Sequence, residues 1–162
     1  MAEAHEEHGE LLQAVVFALD GSFFGVDIRQ VQEILRMVEI TPFPRMPDFA
    51  LGAINVRGRV VPVINLRRKL GLPDRAPAER TRILVARSGA QLIGFLVDGA
   101  SEVLDIPLAL LEDVGDGPAW MRSDVVAGLA KIPGRLLVLV DPARLLTAQE
   151  ESLLPREEPA AG

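Results

Sequence analysis

The feature of this sequence that most constrains its fold is a repeat of short apolar runs in its two halves. At an offset of 69 residues, Glu33-Ile34-Leu35 matches Glu102-Val103-Leu104. At an offset of 76, Gly58-Arg59 matches Gly134-Arg135. The repeat predicts two similar units of about five short strands each, and closed barrels are favoured because closure removes exposed strand edges. Two barrels packed side by side leave a groove between them, where a partner could bind.

The repeat divides the chain into consecutive segments. The first β-unit is expected over about 13–72 and the second over about 81–141, joined by a linker over 73–80 that contains Pro73 and Pro77. This division leaves open whether strands are exchanged between the units. It places a domain over 13–148.

Two helices are predicted in addition to the strands. The spacing of Val31, Ile34 and Leu35 predicts a short helix over 29–36. Pro142 favours the start of a C-terminal helix over about 142–153.

Charge is unevenly placed along the chain. The formal net charge is −6, but acidic residues concentrate at the ends, and 1–12 and 154–162 are predicted to be disordered tails. Residues 55–87 instead hold nine bases against two acids, a local charge of +7. Such a patch suits acidic protein partners or nucleic acid. The absence of aromatic residues from 55–87 disfavours nucleic acid, because single-strand binding uses stacked aromatic side chains.

Residue types that carry chemistry are scarce. There is no cysteine, and the two histidines, His5 and His8, lie in a Glu-rich segment, which disfavours disulfides, thiol or Ser-His-Asp catalysis and histidine-rich metal sites. The acids around a Gly-rich loop, Glu112, Asp113 and Asp116, match neither a calcium loop nor a phosphate cradle. No enzyme activity, metal or cofactor is therefore predicted.

No apolar run approaches the roughly 18 residues that span a bilayer, and no basic segment precedes an apolar one at the N-terminus. We expect a cytoplasmic protein without direct membrane insertion.

Two segments resemble motifs of a known family. Residues 25–35 read Gly-Val-Asp-Ile-Arg-Gln-Val-Gln-Glu-Ile-Leu, and residues 52–66 read Gly-Ala-Ile-Asn-Val-Arg-Gly-Arg-Val-Val-Pro-Val-Ile-Asn-Leu. In order and spacing they are similar to the CheW family, the coupling proteins of bacterial chemosensory arrays, from about Val15 to Leu146. The chain departs from the family pattern mildly, with Val56 in place of the usual Leu and Asn65 in place of the usual Asp.

The resemblance implies a mainly β fold of two tandem SH3-like five-stranded β-barrels packed side by side, with short helices and a C-terminal helix. It implies a non-enzymatic adaptor that bridges the cytoplasmic hairpin tip of a chemoreceptor to the regulatory domain of a CheA-type histidine kinase. The receptor tip would lie in the groove and the kinase at barrel ends. The receptor-binding residues carried over from the family are Val31, Glu33, Asn55, Arg57 and Val103.

Four of these residues also have a purely structural interpretation. A guanidinium at position 57 can bind a partner carboxylate in two-pronged fashion, or simply be exposed. Glu33 is predicted to pair with Arg57, and is otherwise a solvated charge. Val31 and Val103 form the groove wall, or belong to the core. The alternative function is that of a basic β-barrel nucleic-acid-binding protein.

Overall fold

A computed structural model of the chain describes residues 10–112 and 126–155, which form eleven strands and a few short helices. The strands are β1 (Leu11–Leu19), β2 (Ser22–Asp27), β3 (Val31–Arg36), β4 (Ala50–Val56), β5 (Arg59–Asn65), β6 (Arg82–Ser88), β7 (Gln91–Val97), β8 (Gly99–Pro107), β9 (Leu111–Glu112), β10 (Val126–Ile132) and β11 (Arg135–Val140). The α-helices are α1 (Leu66–Lys69) and α2 (Ala148–Ser152), and single 3₁₀ turns lie at Ile28–Gln30, Leu108–Leu110 and Pro142–Arg144.

The strands form two sheets, which confirms the predicted mainly β fold. One sheet has the order β8-β1-β2-β11-β10-β9 and the other the order β3-β6-β7-β5-β4. The first sheet has one strand more than expected, because the two-residue β9 pairs with β10.

Each sheet takes strands from both halves of the sequence repeat. The six-stranded sheet joins β1 and β2 to β8–β11, while the five-stranded sheet joins β3–β5 to β6 and β7. One parallel pair connects the halves in each sheet, β11 with β2 and β5 with β7. The chain therefore crosses from one sheet to the other after β2 and again after β7.

Two repeat-matched glycines lie in these parallel pairs. Gly25 is opposite Leu139, and Gly94 is opposite Val63. A Cβ atom at position 25 would lie 2.9 Å from Cδ2 of Leu139, and one at position 94 would lie 2.8 Å from Cγ2 of Ile83. Both halves therefore require glycine where side chains from neighbouring strands fill the space above the backbone.

The largest apolar core lies between the two sheets. This central cluster takes buried residues from both, for example Phe17 and Val138 from one sheet and Ile64 and Phe95 from the other. A smaller cluster lines the opposite face of each sheet. The cluster of the five-stranded sheet includes Val61 and Ile83, and the cluster of the six-stranded sheet includes Val16 and Leu137. The stacked rings of Phe17 and Phe24, 5.4 Å apart, add to the central cluster. Neither sheet buries its central face without the other.

The helix predicted over 29–36 is wrong, because this segment is the 3₁₀ turn Ile28–Gln30 followed by strand β3. A register shift between Val31 and Glu33, relative to β6, places an extra residue in the strand. Val31 consequently packs against the central cluster while Leu35 packs against the opposite face. The bulge breaks the period of two, and the result imitates helical spacing.

The C-terminal helix expected over 142–153 is interrupted. Pro142 begins a 3₁₀ turn, as proline at a first helical position favours, and α2 then begins afresh after Thr147. Thr147 and Glu150 form a reciprocal capping box, which fixes the new start.

Parts of the expected tails and loop lie outside the described residues: 1–9, 156–162, and the acidic loop with Asp113 and Asp116. At the margins of the tails, β1 begins at Leu11 and Leu154 is buried in the central cluster.

Candidate functional site

The turn between β4 and β5 presents Arg57. Arg57 and Gly58 both have positive φ, 54° and 85°, as a tight hairpin turn with a matching twist requires. The side-chain oxygen of Asn55 accepts a hydrogen bond of 2.7 Å from the backbone N–H of Gly58. Asn55 thus shapes the turn that carries Arg57, and its own side chain is exposed.

Arg57 forms the ion pair with Glu33 that the sequence predicts. Its Nη2 lies 3.5 Å from Oε1 of Glu33, and the two side chains are 77% and 19% exposed. Glu33 is on β3 and Arg57 follows β4, the two edge strands of the five-stranded sheet. A bridge between Thr41 and Ala53, with backbone hydrogen bonds of 2.9 Å in both directions, joins the segment that follows β3 to β4. The sheet therefore curls, and Glu33 and Arg57 meet where its edges approach.

The second half contains a related ion pair. Glu102, the repeat counterpart of Glu33, pairs with Arg135. Arg135 also lies over the ring of Phe23, with its Cζ 5.0 Å from the ring centre. Arg135 is the counterpart of Arg59, however, and position 57 corresponds to Pro133. A glutamate that binds a hairpin arginine is thus common to both halves, whereas the exposed arginine of the turn belongs to the first half alone.

Val31 and Val103 come from different sheets and border the same central cluster. Val31 is half-buried and packs directly against that cluster. Val103 is 49% exposed and lies opposite Val15, a member of the cluster. Its neighbour Leu104 packs against the far face of the six-stranded sheet, so Val103 points toward the side of the five-stranded sheet.

Sequence reasoning missed Ile34. This side chain is 39% exposed on β3, and because Leu35 packs against the far face, Ile34 points to the same side as the central cluster. The repeat alignment matches Ile34 with Val103, which was the available signal. The prediction of a helix over 29–36 hid this signal, because only a strand would place Ile34 on a face opposite to that of Leu35.

The candidate residues lie in two groups. The ion pair brings Glu33 and Arg57 together at one end of the five-stranded sheet, with Asn55 in the same turn. Val31 and Ile34 lie on the edge strand β3 of that sheet, and Val103 lies on the edge strand β8 of the other sheet. We call the space between these two edge strands the groove, and it is where the sequence predicts that a partner binds.

Residues 10–112 and 126–155 contain no cluster of three or more side chains able to hold a metal ion. Within the same residues, no helix has the length and apolarity needed to cross a membrane.

Several of the basic residues of 55–87 are paired with acids inside the fold. Arg67 binds Asp98 and Asp20, Arg68 binds Asp74, and Lys69 binds a carboxylate near the C-terminus. The hydrogen bonds from Arg68 hold the pKa of Asp74 below its usual value. These pairs weaken the case for nucleic-acid binding, because paired arginines have less attraction for phosphates.

Two β-sheets joined by one apolar core, with an exposed arginine and exposed apolar side chains at their edges, are typical of the class of proteins that act by contacting other proteins. The comparisons agree with that class. Residues 13–150 match the CheW-like domain family. The chain is 32% identical over 140 residues to the chemotaxis protein CheW of Klebsiella aerogenes, covering 86% of this chain and 84% of that protein. It is 29% identical over 138 residues to CheW of Rhizobium meliloti, covering 85% and 89%.

A solved structure is similar throughout. The crystal structure of the scaffolding protein TtCheW from Thermoanaerobacter tengcongensis has a TM-score of 0.82 and 30% sequence identity, covering 90% of this chain and all of that one. The chain belongs to the CheW-like family, and it is a non-enzymatic scaffolding protein of chemotaxis.

Proposed function

We propose that this chain couples chemoreceptors to a CheA-type histidine kinase, with the hairpin tip of a receptor bound in the groove. The observation that carries the proposal is the ion pair of the exposed Arg57 with Glu33, because Glu33 lies on the edge strand that also carries the exposed Ile34. A helical hairpin with an apolar stripe and a flanking carboxylate would match such a surface.

Arg57 is suited to exchange partners. Its contact with Glu33 is 3.5 Å long and its side chain is largely exposed, so a receptor carboxylate can take over the guanidinium in a two-pronged bond. An exposed ion pair contributes only about 0–1 kcal/mol, so breaking it costs little. Glu33 then pre-orients Arg57 before the receptor binds.

The apolar contacts come from both walls. Val31 and Ile34 on β3 and Val103 on β8 would cover the apolar stripe of the receptor hairpin. Because the walls belong to different sheets, the receptor would bind only where the sheets keep their mutual position.

The regulatory domain of the kinase would bind at barrel ends, away from the groove. Coupling requires that the receptor's signalling states contact the groove with different free energies, since only such a difference shifts an equilibrium elsewhere. The adaptor would act in the cytoplasm beside receptor arrays, without inserting into the membrane.

The test is binding to two purified partners, a soluble receptor hairpin fragment and a kinase regulatory domain. We expect the full chain to retain both at micromolar concentration. Retention of neither partner would overturn the proposal. A mobility shift with nucleic acid that disappears steeply with added salt would favour the alternative of a nucleic-acid-binding protein.

The groove itself is tested by charge reversal. Arg57→Glu should weaken binding of the receptor fragment while leaving kinase binding intact. Arg36→Glu is the matched control, because Arg36 is also an exposed arginine of the five-stranded sheet but lies at the far end of β3. Equal effects of the two variants would show that overall charge, and not the groove, determines binding.

A further inference from the structure

A buried arginine lies beside the point at which the chain crosses from one sheet to the other. Arg67 follows β5 in helix α1 and is 5% exposed, although it is charged. Buried charges are rare unless several partners compensate for the loss of water. The partners of Arg67 come from three separate parts of the chain.

The first partner is Asp98, the residue between β7 of the five-stranded sheet and β8 of the six-stranded sheet. Nε and Nη2 of Arg67 donate to its two carboxylate oxygens at 3.1 Å and 2.7 Å. Burial by itself would raise the pKa of Asp98, but the bonds from Arg67 and the backbone N–H of Asp20 bring it below its usual value. Asp98 thus stays ionised at the crossing.

The second and third partners share one nitrogen. Nη1 of Arg67 lies 3.1 Å from Oδ1 of Asp20, in the turn between β1 and β2, and donates a bond of 2.6 Å to the carbonyl of Pro73. Asp20 and Asp98 are joined directly as well, because the backbone N–H of Asp20 donates to Oδ2 of Asp98 at 2.8 Å. A planar guanidinium can donate hydrogen bonds in all of these directions at once, whereas a lysine ammonium does not have this forked set of N–H donors.

This arrangement, the Arg67 hub, connects the sheets at the end remote from the proposed receptor site. Asp20 belongs to the six-stranded sheet, Arg67 to the segment after β5, and Asp98 to the crossing between the sheets. Arg57 precedes β5 and Arg67 follows it, so the seven residues of that strand, about 23 Å in extended form, separate them. Arg67 therefore does not contact the group that binds Arg57.

We infer that Arg67 is a positioning residue, which sets the mutual orientation of the two sheets and thereby the shape of the groove. The central apolar cluster holds the sheets together, but apolar contact is not directional. The Arg67 hub adds directional bonds at one end of the two sheets. A change in these bonds therefore alters the angle between the sheets, and with it the positions of the groove walls at the other end. The link to the groove rests on the proposed function, whereas the orienting role does not.

The subtlest test is Asp20→Asn. Asp20 has a φ of 53°, a left-handed conformation that asparagine also tolerates, so the turn and the backbone bond to Asp98 are kept. The variant removes only the charge that Arg67 binds on the six-stranded sheet. Arg67→Lys is the stronger variant, because it keeps the charge and loses the fork. Asp74→Asn is the matched control, because the Arg68–Asp74 pair of 2.9 Å is exposed and lies on the side of the five-stranded sheet alone.

The measurement is the distance between two spin labels, one on each sheet. The chain has no cysteine, so Arg87→Cys in β6 and Lys131→Cys in β10, both at exposed positions, provide unique attachment sites. Folded wild type and Asp74→Asn should give the same narrow distance distribution. At temperatures at which they remain folded, Asp20→Asn and Arg67→Lys should broaden or shift this distance distribution, a change that loss of stability alone would not produce.

Affinity for the receptor fragment completes the test. We expect binding to weaken by about tenfold in Asp20→Asn, the scale of one charge-assisted hydrogen bond. Unchanged distances in folded Asp20→Asn would overturn the inference, even if Arg67→Lys failed to fold. Altered distances with unchanged affinity would overturn the link to the groove. If wild type bound no receptor fragment, the proposed function would fail, and the distances would still decide the orienting role of Arg67.

Discussion

Lys69 and Glu150 join the C-terminal segment to the five-stranded sheet. Nζ of Lys69 lies 2.7 Å from both carboxylate oxygens of Glu150 and 4.7 Å from the ring centre of Phe49. Glu150 is in α2, beyond the last strand of the six-stranded sheet, while Lys69 ends α1. Ser88 donates a second bond to this segment, 2.8 Å to Oε1 of Glu151. These contacts thus hold the C-terminal segment, which follows the six-stranded sheet, against the five-stranded sheet.

Lys69→Met should lower the free energy of unfolding by about 1–2 kcal/mol, because it leaves the partly buried carboxylate of Glu150 without its cation. Chemical denaturation monitored by circular dichroism would measure the loss. Arg144→Gln provides the control, since it breaks a 3.4 Å pair with Asp141 in which the arginine is mostly exposed, and should change stability by less than about 0.5 kcal/mol. Equal losses of stability in the two variants would show that the Lys69–Glu150 contact does not hold the C-terminal segment against the five-stranded sheet.

Acid should destabilise the protein. Burial opposes ionisation of Asp98 and Glu150, but Arg67 and Lys69 outweigh it, so both pKa values lie below their ordinary values of 3.8 and 4.5. The folded state consequently binds fewer protons than the unfolded state, and stability rises with pH through this range. We expect a constant free energy of unfolding from pH 8 to about 5 and a decline below it.

Glu150→Gln is the informative variant for this pH dependence, because it removes one of the carboxylates whose pKa is lowered in the fold. Denaturation series at several pH values should show a shallower acid decline than in wild type, from a lower starting stability. An identical slope would mean that Glu150 does not contribute.

The two faces of β3 should respond differently to substitution. Ile34→Thr keeps a β-branched side chain at an exposed position, so receptor affinity should fall while stability changes little. Leu35→Ala removes a side chain that packs against the cluster on the opposite face of the five-stranded sheet and should cost about 2 kcal/mol. Thermal unfolding and receptor-fragment titration of both variants separate the effects. A large stability loss in Ile34→Thr would instead make Ile34 part of the core.

Gly94→Ala should be destabilising by about 1–3 kcal/mol, because the new methyl group would lie 2.8 Å from Ile83 between tightly packed strands. Gly99→Ala is the control, since its nearest neighbour outside the adjacent residues would be 3.6 Å away. The difference in denaturation midpoint between these variants measures the close packing. A neutral Gly94→Ala would show that Ile83 moves aside freely.

Much of the fold was predictable because strand runs and turns are local signals. The repeat located the hairpin that carries Arg57, and the family resemblance singled out Glu33 and Arg57, whose opposite charges suggested that they pair. The pattern of β3 was misread because a bulge mixes the two faces of the strand. Apolar periodicity shows that a run is a strand, but it does not show which strand lies beside it, so the pairing of β5 with β7 was not predictable.

The Arg67 hub was equally hidden, for a different reason. Arg67 stands in a run of basic residues that resembles a solvated patch, and Asp98, 31 residues away, looks like an ordinary turn carboxylate. Only the folded chain brings them together. Burial of a charge is a property of tertiary structure, and the residue type by itself argues against it.

The exchange of strands between the sheets has a consequence for how the chain folds during its synthesis. β1 and β2 leave the ribosome before the other described strands, but their neighbours β8 and β11 are made later, so the six-stranded sheet cannot be completed until β11 has been synthesised. The hairpins can form early, while the central cluster assembles only at the end. Late pairing of distant segments slows folding, and it leaves apolar strands open to incorrect partners in the meantime.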